Sequence, residues 1–293
     1  MAHKEVTVNV QDESFAVQLF GDPDGPKSAA RSPVGVLLHG AAMSSASWAR
    51  CAELMVRGSA DAPNPHGMLL CAPDLRGHGK TQAPQSRGTS LDQLVSDVQA
   101  LIDALFVDVL GIEATRPFFL IGHSLGGAIV AKCVADKEFA KRVAGVSMVD
   151  IVEETAVFGL RHMPGFLEKR PKAFESVVAA AKWYVAEGGM KTIDGAMRSV
   201  GRTLVEHPDG SFVWRTDLAA TAGDWEGWFT GMNANFLSTS APKLLLLANT
   251  DRLDKGLTLA MMQGKFQLEV VREAGHHVQE DQPAAVAAKL AKF

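Results

Sequence analysis

Phe118-Phe119-Leu120-Ile121-Gly122-His123-Ser124-Leu125-Gly126-Gly127 decides the fold. An apolar run leads into Gly-x-Ser-x-Gly, and a helix-forming segment continues from Leu125 to Ala135. Strand, sharp turn and helix in that order are the context of a nucleophile elbow. Such a turn brings the residues two before and two after the serine so close that neither can carry bulk, which accounts for Gly122 and Gly126. The reading predicts a Ser124 hydroxyl held above the end of a strand. An ordinary capping serine in a glycine-rich turn is the plainer alternative, and the flanking strand and helix argue against it.

Working outward, short continuous apolar runs recur at 34–38, 68–71, 143–149, 244–248 and 266–271, as expected of strands buried on both faces. Helical stretches at 44–56, 90–106, 125–135 and 283–292 separate them. Ser90 and Gln93 suggest a capping box, and Asp281 or Gln282 lies near the N-cap of the last helix. Alternating strand and helix imply an α/β protein with a mainly parallel central sheet and helices on both faces. Before it, residues 6–10 and 15–19 alternate apolar and polar, which predicts an edge hairpin of half-buried strands followed by a turn-rich stretch at 21–33. Residues 151–239 break the rhythm. They contain no convincing strand, helix-like stretches at 172–187 and 192–205, and an aromatic-rich run at 214–236. One domain, 1–293, with a helical cap inserted at 151–239, is the expected organisation.

Composition narrows the function. Twenty-nine Lys and Arg against 33 Asp and Glu give a net charge of −4, which leaves no electrostatic case for nucleic acid. With 47% apolar and 21% charged residues the chain has the composition of a globular domain. No stretch supplies about 20 mainly apolar residues, so no membrane span is expected. The N-terminus runs straight into alternating residues without an apolar block, so no secretory signal is predicted. Cys51, Cys71 and Cys133 are odd in number, with neither a CxxC pair nor metal-ligand spacing, which fits a reducing, cytoplasmic location and leaves the nucleus open.

A serine is a poor nucleophile unless a base and an orienting acid stand behind it. Among nine histidines, His276 follows the last predicted strand and precedes the last helix, which brings it to the rim where Ser124 stands. His277 competes, and His276 is preferred because it directly follows Gly275. Two aspartates end suitable strands: Asp150 after 143–149, and Asp251 after 244–248, the usual position. Both satisfy the order Ser, Asp, His. Either also has a structural reading, Asp251 as a partner of Arg252 and Asp150 as a cap of the insertion's first helix. Oxyanion donors are expected from the backbone N–H of Leu125 and, in the turn Leu38-His39-Gly40-Ala41-Ala42, from Ala41. His39 reads as structural. Asp74-Leu75-Arg76-Gly77-His78-Gly79-Lys80 reads as a scaffold loop in which Asp74 and Arg76 pair. Trp225, Trp228 and Phe229 read first as core at helical spacing and second as a partner or substrate surface.

With elbow, histidine loop and insertion assembled, the chain resembles a protein phosphatase methylesterase of the α/β-hydrolase fold over roughly residues 33–290. The resemblance lies in Met148-Val149-Asp150-Ile151-Val152-Glu153 with Thr155-Ala156, in Arg170-Pro171-Lys172-Ala173-Phe174, and in Trp225-Glu226-Gly227-Trp228-Phe229. Pro242-Lys243-Leu244 through Asp251-Arg252-Leu253-Asp254-Lys255, and Met262-Gln263-Gly264-Lys265-Phe266-Gln267, carry it further. It implies hydrolysis of the methyl ester on the C-terminal leucine of the type 2A protein phosphatase catalytic subunit, without a metal or organic cofactor. It also implies Ser124 as nucleophile, His276 as base and Asp150, rather than Asp251, as acid. The chain departs from the family at Ala41 and Ala42, where relatives are glycine-rich, and at His277, where a smaller residue is expected. The acidic tract of some relatives' caps shrinks to Glu206-His207-Pro208-Asp209-Gly210. Two other classes stay open: a general small-ester carboxylesterase or lipase, and a non-enzymatic binding protein of the same fold.

Overall fold

The computed structural model describes residues 3–22, 33–58, 67–251 and 253–293. Arg252 and most of the turn-rich stretch 21–33 lie outside them. The strands are β1 (His3–Val10), β2 (Glu13–Phe20), β3 (Val34–Leu38), β4 (Leu69–Pro73), β5 (Phe118–His123) and β6 (Val143–Val149), then β7 (Ala173–Phe174), β8 (Leu204–Glu206) and β9 (Phe212–Trp214), and finally β10 (Lys243–Leu247) and β11 (Gln267–Val270). Eight form one sheet in the order β1-β2-β4-β3-β5-β6-β10-β11. Only β1 with β2 and β2 with β4 pair antiparallel; every other neighbour is parallel.

That order fixes where a site can form. From β3 the chain steps to β4 on one side, then crosses back to β5 on the other, so β3 and β5 flank the point where the strand order reverses. Open α/β sheets hold their ligands in the crevice beyond the strand ends at such a point. The helix Leu125–Ala135, launched from β5, is buried along nearly its whole length and packs on β5, β6 and the helix Met232–Ser238. Its all-round apolar sequence suits that central place.

The parallel strands lie within a residue or two of the predicted runs, with β3 and β4 buried throughout. The hairpin differs from expectation. β1 is the edge and buries only Val8, whereas β2, enclosed between β1 and β4, is buried on both faces. Its buried charge at Glu13 is paired with Arg76. The capping box is half made, since Ser90 Oγ accepts the Gln93 N–H at 3.3 Å while the Gln93 side chain turns to Asp97.

Residues 151–239 hold short helices, among them Glu153–Leu160, Met163–Lys169, Val177–Ala186 and Ile193–Ser199. Contrary to the strandless expectation, they also hold the three-stranded antiparallel sheet β7-β9-β8. Strands of two or three residues are too short to show a period of two. The turn joining β8 to β9 spans residues 207–211, held by Asp209 accepting the N–H and hydroxyl of Ser211. A separate apolar cluster, including Phe174, Ala180, Tyr184, Met190 and Val200, fills this segment and takes in Met43 from beyond β3. Among the described residues no helix is long and apolar enough to cross a membrane.

Candidate active site

Ser124 sits at the elbow with φ 51° and ψ −117°. Space around it is set by missing side chains. A Cβ on Gly122 would lie 2.0 Å from the Gly126 carbonyl oxygen, and one on Gly126 would lie 2.4 Å from that of Leu38. Gly40 is less tightly enclosed, but a Cβ there would still stand 2.9 Å from His123 Nδ1 and 3.1 Å from Ser124 Cβ. The serine N–H donates to Val149 O at 3.1 Å, tying the elbow to β6.

From Ser124 a continuous hydrogen-bonded series runs inward. Ser124 Oγ lies 3.1 Å from His276 Nε2, and His276 Nδ1 lies 2.8 Å from Asp150 Oδ2. The other carboxylate oxygen of Asp150 accepts the Ala248 N–H at 2.9 Å. Asp150 is 1% exposed and holds φ 50°, so both backbone and packing aim its carboxylate at the imidazole. The structure thus brings Ser124, His276 and Asp150 together. Asp251 is exposed and makes no hydrogen bond with His276. Asp150 does not cap the first insertion helix, whose N-cap is Val152.

His277 points away from Ser124, toward the Gly188 carbonyl and Glu280. His123, between the elbow glycine and the serine, was not singled out in sequence, although its place in the motif is the signal. Its Nε2 donates to the His276 carbonyl at 2.8 Å. Burial first, and then the neighbouring His276 and His277, push its pKa well below the ordinary histidine value and keep the ring neutral.

The turn after β3 supplies a further edge. Met43 N–H donates to Gly40 O at 3.2 Å, which places Ala41 and Ala42 at the centre of a turn. Ala42 takes φ 57°, a left-handed conformation that disfavours a Cβ by about 1–2 kcal/mol. Its N–H donates to His78 Nε2 at 3.0 Å and is thereby occupied, while Ala41 lines the cleft beside Ser124. Leu125 opens the helix Leu125–Ala135, and first-turn amides of a helix have no intrahelical acceptor.

Arg76 does not pair with Asp74. It is buried between Asp97, which it grips bidentately at 2.7 Å, and Glu13. Asp74 instead accepts the amides of Ser45 and Lys80. His39 accepts the Leu75 N–H through Nε2 and donates through Nδ1 to Gly40 O, a structural role.

Above Ser124 opens a cleft of about 440 Å³. Ser124, Asp150, His276 and the turn 41–43 line its floor, and residues 152–229 supply most of its walls, including Leu160, Phe166, Trp183 and Tyr184. Trp225, Trp228 and Phe229 are core and wall at once, buried in the main apolar cluster while facing the cleft. The indoles of the two tryptophans donate to Thr221 Oγ1 and Thr89 O. Arg170 is the cation at this wall, its guanidinium 3.6 Å from the Trp214 ring centroid.

An elbow serine, a histidine after the last strand and an acid after an inner strand, arranged at the rim of a mainly parallel sheet, define the α/β-hydrolase class. The profile of the alpha/beta hydrolase family matches residues 36–289. Among solved structures, E-2-(acetamidomethylene)succinate hydrolase superposes with a TM-score of 0.76 at 19% identity, covering 100% of this chain and 99% of that one, a likeness of fold alone. Sequence relatives are more particular. A probable protein phosphatase methylesterase 1 of Caenorhabditis elegans is 34% identical, over 97% of this chain and 73% of its own length. Protein phosphatase methylesterase 1 of Homo sapiens is also 34% identical, over 91% and 77%. That of Yarrowia lipolytica is 38% identical, over 99% and 70%. Within the α/β hydrolases, the chain belongs to the protein phosphatase methylesterase family.

Proposed function

We propose that one α/β-hydrolase domain, residues 1–293 with its cap at 151–239, hydrolyses the methyl ester on the C-terminal leucine of the type 2A protein phosphatase catalytic subunit. The observation that carries this reading is the hydrogen-bonded series Ser124, His276, Asp150 opening into an apolar cleft walled by the cap. Family membership supports the substrate.

In this mechanism Ser124 Oγ attacks the ester carbonyl carbon as its proton passes to His276 Nε2. Asp150 holds Nδ1–H and stabilises the imidazolium. The N–H groups of Leu125 and Ala41 receive the negative charge on the carbonyl oxygen. On collapse of the adduct the carbon–oxygen bond to the methoxy group breaks, and His276 returns its proton so that methanol leaves. Water then attacks the acyl-enzyme, His276 takes one of its protons and returns it to Ser124 Oγ, and the carboxylic acid that departs loses its remaining proton to solvent. Both proton transfers at the reacting oxygens pass through His276, so the reading needs no cofactor.

The test is methyl loss from fully methylated phosphatase catalytic subunit, followed by intact mass, with wild type and Ser124→Ala in parallel. Loss of one methyl with wild type alone is expected. No loss with wild type, beside rapid hydrolysis of p-nitrophenyl acetate, would replace the reading with a general esterase.

A further inference from the structure

The His276 side chain is 36% exposed, whereas that of its acid partner Asp150 is fully enclosed. Packing alone therefore does not place the base, and the backbone of its loop must. One buried carboxylate organises that backbone. Asp281 Oδ2 accepts the Gly275 N–H at 2.8 Å, immediately before His276. Its Oδ1 accepts the amides of Lys191 at 2.8 Å and Thr192 at 3.0 Å, and the Thr192 hydroxyl at 3.2 Å. Asp281 is 6% exposed. It does not cap the last helix, Pro283–Lys292, whose N-cap is Gln282 without a side-chain bond.

A second link runs beside the first. The His276 N–H donates to Gly189 O at 3.0 Å, and Gly275 comes so near that carbonyl that a Cβ would lie 2.1 Å from its oxygen. The histidine loop and the segment 189–192 are thus one bracket. Removing a buried carboxylate that accepts several donors leaves each of them desolvated and unpaired, so the bracket has no easy substitute.

We propose that Asp281 is a positioning residue for the general base. It sets the height of the His276 backbone through Gly275, so that Nε2 reaches Ser124 Oγ, and it references that height to the insertion through Lys191 and Thr192. The proposal rests on the assignment of Ser124, His276 and Asp150 given above.

The test uses the full chain and p-nitrophenyl acetate, with Asp281→Ala, Asp281→Asn, Gly275→Ala and Ser124→Ala compared by kcat, KM and fluorophosphonate labelling rate, and folding followed by circular dichroism. Misplacement of a catalytic group by about 1 Å costs on the order of 100-fold. Folded Asp281→Ala should therefore lose about 10- to 100-fold in kcat, with KM within about twofold and labelling slowed in proportion. Asp281→Asn, which keeps one acceptor oxygen, should fall between. A folded Asp281→Ala that keeps wild-type kcat and only melts earlier would overturn the proposal. Should that variant not fold, Gly275→Ala strains the bracket from the other side, and wild-type kcat there would overturn it equally. Activity in Ser124→Ala would sink the underlying assignment. An inactive Ser124→Ala beside an unaffected Asp281→Ala would sink the bracket alone.

Discussion

Ser124 and Asp150 both hold positive φ, at 51° and 50°. Such conformations cost of order 1–3 kcal/mol each and persist only where surroundings over-determine them. Here the surroundings are the Val149 carbonyl and absent glycine side chains for the serine, and the Leu246 carbonyl and Ala248 amide for the aspartate. The elbow was legible in sequence because its constraint is local: a Cβ at Gly122 or Gly126 has no room. The acid was not, because Asp150 and Asp251 both follow parallel strands, and only the rim in three dimensions separates them. The resemblance chose Asp150. Asp150→Asn should lower kcat about 10⁴-fold by removing the acceptor that fixes the imidazole tautomer. Asp251→Asn should stay within about twofold on p-nitrophenyl acetate, since the exposed carboxylate makes no contact with His276. The reverse pattern would return the acid to the usual strand.

Strands buried on both faces announce themselves as continuous apolar runs, so β3, β4, β5, β6 and β10 were legible almost to the residue. The cap's sheet was not, because its strands are two or three residues long. Long-range polar ties were equally hidden. Arg76 joins the start of β2 to the helix Leu91–Ala104 through Glu13 and Asp97, residues 63 before and 21 after it in sequence. Burial opposes the guanidinium charge, but the two carboxylates outweigh it and raise the Arg76 pKa. Arg76→Leu would strand both carboxylates and should destabilise by about 3–5 kcal/mol in urea unfolding. Replacing Glu13 and Asp97 by leucine in the same chain should recover most of that loss. An unchanged midpoint in the single variant would mean that water reaches the carboxylates after all.

Among the described residues, His39, His78 and His123 are buried and held neutral. Burial lowers the pKa of His39 despite the attraction of Asp74. With His39 beside it, burial pushes His78 down to about 3. The pKa of His123 lies well below the ordinary value for the reasons given above. In the unfolded chain all three titrate near 6.5. Their folded values are depressed, so the unfolded state binds more protons as pH falls through 6.5, and each ring lowers stability by at most about 1.4 kcal/mol per pH unit until its own folded pKa is reached. Glu280 acts in the opposite sense: burial raises its pKa against the pull of His277, so protonation favours the folded state between its unfolded and folded values and offsets part of the loss. The urea midpoint should therefore be constant from pH 8 to 7 and fall steeply toward pH 5. A flat profile to pH 5 would show that the rings charge in place.

The turn at residues 207–211 between β8 and β9 is exposed from His207 to Gly210. A reverse turn on the surface of a small antiparallel ribbon is a port for extra sequence, because each doubling of loop length adds only about 0.6 kcal/mol of closure entropy. A tract of any charge spliced there leaves both strand registers and the catalytic rim as they are. Evolution can therefore lengthen, shorten or recharge this corner of the protein independently of its chemistry.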